Sequence, residues 1–166
     1  MNLGCIHQHL TENCVQYCMF DKQKFDILLV EDNAGDILLT KEAFKRSNFD
    51  VFLNTVIDGE LAIEYLSKDG EFKEVSRPDL ILLDLNLPKK DGREVLKFIK
   101  TDQSLKSIPV IILSTSTSSV DINKAYELSA NSFVTKPVDF NSFLTVVKTI
   151  EKFWFRIAKL PTTSSI

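Results

Sequence analysis

Phe25-Asp26-Ile27-Leu28-Leu29-Val30-Glu31-Asp32-Asn33 is a short apolar run that stops abruptly at two acids and an amide. With almost no polar alternation and too few residues for a helix, it reads as a strand buried on both faces, the kind found inside parallel sheets. Leu80-Ile81-Leu82-Leu83-Asp84 repeats the pattern and also ends in a carboxylate. Between and beyond these two runs the chain alternates strand and helix patterns. A helix after Asn33 turns Ile37, Leu38 and Phe44 inward, and residues 51–57 alternate as a second strand. Asp58-Gly59 opens a short helix around Leu61, Ile63 and Leu66, and residues 67–78 form a polar loop. Pro88 and Gly92 frame a turn into an amphipathic helix with Val95, Leu96 and Ile99. Strand four covers residues 110–113, and Ile122, Ala125 and Tyr126 mark the next helix. Phe133-Val134 is a brief fifth strand, and Asp139 caps a last helix running to about Lys159. Strands alternating with helices predict an α/β fold, a five-stranded parallel doubly wound sheet.

Composition limits the function classes. The chain has 166 residues, 20 basic against 23 acidic, for a net charge of −3, and 44% of its residues are hydrophobic. That suits one globular domain in the cytoplasm. No apolar run approaches a membrane span, and no basic block invites a nucleic acid. All three cysteines (Cys5, Cys14, Cys18) and both histidines (His7, His9) precede Met19. Disulfide scaffolding and Ser-His or Cys-His catalysis are therefore excluded from the body. The Cys/His cluster fits no usual zinc spacing, so residues 1–24 read as an N-terminal extension, of which residues 1–18 are dispensable for stability.

Function in a doubly wound sheet gathers beyond the carboxyl ends of the strands. Those ends supply Glu31 and Asp32 after strand one, Asp84 after strand three, Ser114 after strand four and Lys136 after strand five. Crowded carboxylates raise one another's pKa unless a cation neutralises them, and a hard divalent ion such as Mg2+ is the natural partner.

Glu31-Asp32-Asn33, Asp84-Leu85-Asn86-Leu87-Pro88, Asp91-Gly92 and Lys136-Pro137 together resemble the receiver domain of two-component response regulators, in that family's order and spacing. The resemblance covers about residues 25–159. The long loop after helix two and the Phe-Trp-rich last helix are similar to the cyanobacterial phytochrome-associated subfamily. The resemblance implies a single-domain switch with a flavodoxin-like receiver fold at residues 25–160 and a tail at 161–166. It implies that Asp84 accepts a phosphoryl group from a histidine kinase, one of phytochrome type in the cyanobacterial subfamily. Mg2+ would be held by Asp32, Asp84 and the Asn86 carbonyl, with Glu31 acting through a water. Lys136 would pair with the acceptor, and the Lys136-Pro137 bond would be cis. Ser114 and Phe133 would form the conformational relay. Thr115 departs from the family's usual Ala or Gly and would narrow the entrance. Activity would be confined to phosphorylation and dephosphorylation of the chain itself.

Two rival readings share the fold: a phosphorylation-independent interaction module, and a flavodoxin-type flavin carrier using the hydroxyl run at 114–119. The acids closing strand one oppose the latter, because they repel a phosphate. The last helix adds one more expectation. Placed at 100° per residue, its apolar positions span more than the stripe of about 100° that core packing needs. Val146, Phe153, Ile157 and Leu160 are left on a flank, which predicts a homodimer interface.

Overall fold

The structure, a computed structural model, describes residues 24–161. Expectations for residues 1–23, including the Cys5, His7, His9, Cys14 and Cys18 cluster, and for 162–166 lie outside the described residues. The elements are β1 (Lys24–Val30), α1 (Ala34–Lys45), β2 (Asp50–Val56), α2 (Gly59–Ser67), β3 (Leu80–Leu83), α3 (Gly92–Thr101), β4 (Val110–Ser114), α4 (Ser119–Glu127), β5 (Ser132–Thr135) and α5 (Phe140–Glu151). A single 3-10 turn, Gly70–Phe72, interrupts the polar loop after α2. The five strands pair in parallel in the order β2-β1-β3-β4-β5.

Period-two alternation along the inner strands builds two cores. Leu28, Val30, Ile81 and Leu83 face Ala62, Val95, Leu96, Ile99 and Ala125 of α2, α3 and α4. Ile27, Leu29, Leu80 and Leu82 face Phe44, Phe143 and Val147 of α1 and α5. Every side chain of β3 and β4 is buried, as an unalternating apolar run requires.

Each helix begins just beyond a strand's carboxyl end, so the helix caps stand at the same mouth as the acids. Asn33 accepts from the Gly35 and Asp36 amides, Asp58 from Leu61 and Asp139 from Ser142. Asp91 and Glu94 form a full capping box on α3. Caps of this kind are worth about 1 kcal/mol each.

Three local expectations are corrected. Leu38 points outward, 64% exposed, and Thr40 takes the buried place on α1, its hydroxyl donating to the Asp36 carbonyl. Lys136-Pro137 is trans; the Lys136 amine reaches its carboxylate partners without the cis form. The last helix does not continue as an α-helix to Lys159: after Glu151 it widens into a π-helix over Lys152–Ile157. That wider turn shifts the side-chain phase. Phe155 consequently stacks on Phe25 of β1, ring centroids 4.0 Å apart, and meets the edge of Phe49.

Candidate functional site

Asp84 directly follows β3 and is buried. Its main chain continues the sheet, the amide donating to the Val30 carbonyl at 3.0 Å. Its two carboxylate oxygens are differently engaged: Oδ1 accepts from the Asn86 amide at 3.2 Å, and Oδ2 accepts from Lys136 Nζ at 2.7 Å. The loop after β3 folds back closely enough that a Cβ on Gly92 would stand 2.1 Å from the Asp84 carbonyl oxygen. Only glycine fits there, which gives the Asp91-Gly92 pair a steric reason.

Glu31 closes β1 beside Asp84, almost fully buried. Its Oε1 accepts from the Asn33 amide and its Oε2 from Lys136 Nζ at 2.5 Å. Burial pushes its carboxyl above the usual carboxylate range, against the opposing pull of the Lys136 ammonium, and the Asp84 charge adds to the rise. Asp32 is exposed at the mouth. Carboxylate oxygens of Glu31, Asp32 and Asp84 all lie within 4.8 Å of one another. A cluster of hard oxygen donors, two buried and one open to solvent, fits a divalent cation that keeps part of its water shell. Asn86 is exposed directly after the acceptor loop.

Lys136 is held from the far side of the sheet. Its amide donates to the Ser114 carbonyl at 2.8 Å, extending the β4–β5 pairing, and its side chain then crosses to the acids. Asp36, on the first turn of α1, is a third carboxylate on the same amine, at 2.8 Å, and sequence reasoning missed it. In the sequence it is only a first-turn helix acid, favourable near the positive end of the dipole. Also missed was the pair between Lys89, at φ 63°, and the buried cap Asp58, 2.7 Å apart, which ties the β3–α3 loop to α2.

Ser114 is wholly buried and its Oγ accepts from the Ser116 amide at 3.2 Å. Phe133 is half-buried against the core on the α3 and α4 side. Thr115 is exposed. On the flank of α5, Phe153 is 48% and Ile157 61% exposed, whereas Leu160 is half-buried and Val146 packs against the core on the α1 and α5 side. A cleft of about 470 Å³ lies between Tyr65, Pro78, Phe98 and Leu105, at the opposite end of the sheet from the acids.

A five-stranded parallel sheet in this order, with acids closing β1 and β3 and a lysine after β5, is the flavodoxin-like receiver fold. The sequence profile of the response regulator receiver domain matches residues 27–148, so the chain belongs to that family. It is 46% identical over 135 residues to the response regulator Rcp1 of Synechocystis sp., a match covering 81% of this chain and 92% of that one. Among solved structures, the phosphorylated cyanobacterial phytochrome response regulator RcpA is 50% identical with a TM-score of 0.82, covering 84% of this chain and all of that one. The Mn(2+)-bound form of Rcp1 is 45% identical with a TM-score of 0.79, covering 83% and 99% respectively.

The chain is thus a response regulator of two-component signalling, a switch rather than a conventional enzyme, whose partner class is the histidine kinase. The Glu31, Asp32 and Asp84 cluster fits the divalent-metal site of such a domain. Neither rival reading is favoured by this membership. No helix among the described residues is long and apolar enough to cross a membrane.

Proposed function

We propose that Asp84 accepts a phosphoryl group from a kinase phosphohistidine with Mg2+ as the cation, and that this changes the partner-binding face. The observation that carries this reading is the buried contact of Lys136 Nζ with Asp84 Oδ2, set beside two further carboxylates within 4.8 Å. Glu31, Asp32, Asp84 and the Asn86 carbonyl would hold Mg2+, which when bound supplies positive charge against the acids and the incoming phosphoryl oxygens. An oxygen of Asp84 forms the new O–P bond as the P–N bond of the phosphohistidine breaks. Lys136, already aimed at that carboxylate, then donates to a phosphoryl oxygen. The Ser114 hydroxyl accepts one bond and donates to no acceptor among the described residues, leaving its hydrogen for the phosphoryl group. Phe133, half-buried beside the same strand, would follow Ser114 as the relay. The chain catalyses only its own phosphorylation and dephosphorylation.

The kinase is of phytochrome type, supported by the relative described as a phytochrome response regulator. Residues 25–160 act as the receiver unit in the cytoplasm, and the exposed Phe153 and Ile157 form a homodimer contact.

The test is incubation with Mg2+ and acetyl phosphate followed by mass spectrometry. The parent protein gains one phosphoryl group, and Asp84→Asn gains none. Phosphorylation of Asp84→Asn at another residue overturns the assignment.

A further inference from the structure

We propose that Arg93, Asp121 and Ser116 are positioning residues that hold the Ser114 hydroxyl at a fixed place opposite Asp84. The proposal rests on the roles given above to those two residues. Ser116 donates its amide to Ser114 Oγ at 3.2 Å and its own hydroxyl to Asp121 Oδ2 at 2.6 Å. The other oxygen of Asp121 takes Arg93 Nη2 at 2.6 Å, and Arg93 Nη1 reaches Asp91 Oδ2 at 2.8 Å. Asp91 caps α3, and its neighbour Gly92 lies against the Asp84 carbonyl.

These contacts close a ring. From Asp84 the path runs through Gly92 and Asp91 to Arg93, across to Asp121 on α4, back through Ser116 to Ser114. From the Ser114 carbonyl it returns through the Lys136 amide, at 2.8 Å, and the Lys136 amine to Asp84. The acceptor follows β3 and the hydroxyl ends β4, adjacent strands of the sheet, and the side-chain bridge adds a second link between the loops that follow them. The Arg93 fork bridging two carboxylates sets their spacing, a task for which a lysine has the wrong shape. Hydrogen bonds from Ser116, then Arg93, hold the Asp121 carboxyl below the usual carboxylate range, so it stays an anion.

As a stability device the bridge is poor. The Arg93 and Asp121 side chains are 27% and 28% exposed, and ion pairs this open contribute little. Its geometry instead serves Ser114, because the Ser116 amide engages a hydroxyl lone pair and leaves the hydroxyl hydrogen unspent.

The experiment measures the rate of phosphoryl gain from acetyl phosphate with Mg2+, alongside melting temperature and Mg2+ affinity. Arg93→Gln and Asp121→Asn each slow the gain about tenfold, as expected for a displaced reacting group, with melting temperature and Mg2+ affinity as in the parent. Ser114→Ala is slowed similarly, and adding Arg93→Gln to it costs nothing more, because the effect passes through Ser114. Parent rates in both Arg93→Gln and Asp121→Asn overturn the proposal, as does an undiminished Arg93→Gln effect in the Ser114→Ala background. If Ser114→Ala itself reacts at the parent rate, the role of Ser114 falls and this proposal with it. A slow Ser114→Ala beside a full-rate Arg93→Gln defeats the positioning role alone.

Discussion

Lys136 spends all three of its N–H donors on carboxylates, Glu31, Asp36 and Asp84, at 2.5, 2.8 and 2.7 Å. Burial alone would lower its pKa, but hydrogen bonds to Asp36, Asp84 and Glu31 outweigh that and hold it above its ordinary value. The dependence is mutual, since Glu31 is buried and keeps a raised carboxyl even with the ammonium beside it. Lys136→Met should therefore cost about 3–5 kcal/mol at neutral pH without divalent cation, the usual effect of orphaning a buried charge. The sign with pH follows from Glu31, whose raised value makes the folded state bind the proton more tightly than the unfolded one. Losing Lys136 pushes it higher still. The penalty should be small below about 4.5, the ordinary Glu value, and grow as pH rises through the raised value. Added Mg2+ should recover part of the loss. Urea titrations of both proteins across pH, with and without Mg2+, check this, and a pH-independent penalty would contradict it. Glu31, Asp32, Asp84 and Lys136 were legible in the sequence because strand topology alone brings carboxyl ends together. Asp36 was not, because its role depends on how far a lysine reaches from a loop one hundred positions away.

At the scale of the element, α5 separates what periodicity can and cannot read. Phe143, Val147 and Ile150 fall on one α-helical face and are buried, as their spacing predicts. Beyond Glu151 the chain widens into the π-turn, and a 100° projection drifts out of phase with the side chains. Phe155, within that turn, stacks on Phe25. No local signal in Lys152–Ile157 announces the change; it shows only when β1 and the loop before β2 supply aromatic partners. Glu151 sits at the junction, 4% exposed, with Oε1 unpartnered among the described residues. Burial raises its pKa, only partly offset by the Ser47 hydroxyl and the Lys148 charge. A raised carboxyl adds stability below its unfolded value and loses it as pH climbs through the folded one. Glu151→Gln should therefore stabilise the protein by about 1 kcal/mol at neutral pH, the scale of one buried unsatisfied group. Below about 4.5, the ordinary Glu value, the two proteins should converge. Melting curves at several pH values check this, and a less stable Glu151→Gln at neutral pH would refute it.

At the scale of the whole molecule, the five strands are parallel and both sheet faces are covered, as the alternating pattern implied, so the outer surface is where partners must be recognised. The expected flank on α5 is narrower than the sequence suggested. Val146 packs, partly buried, against the core and Leu160 is half-buried, leaving Phe153 and Ile157 as the exposed apolar pair. Two side chains fall short of the roughly 800 Å² per partner typical of a stable interface. A dimer built there must draw in more surface, and the chain also exposes Tyr126 on α4 and Val138 after β5. A two-fold contact would bury Phe153 of each copy, and symmetry makes every substitution count twice. Phe153→Asp places a carboxylate where an apolar contact should form, and an unpaired buried charge is costly enough to abolish association. Phe153 is half-exposed in the monomer, so the substitution should leave the fold intact. Sedimentation at micromolar concentration should report a dimer for the parent and a monomer for Phe153→Asp, with phosphoryl gain at Asp84 unchanged. A parent that sediments as a monomer at high concentration, phosphorylated or not, would overturn the homodimer.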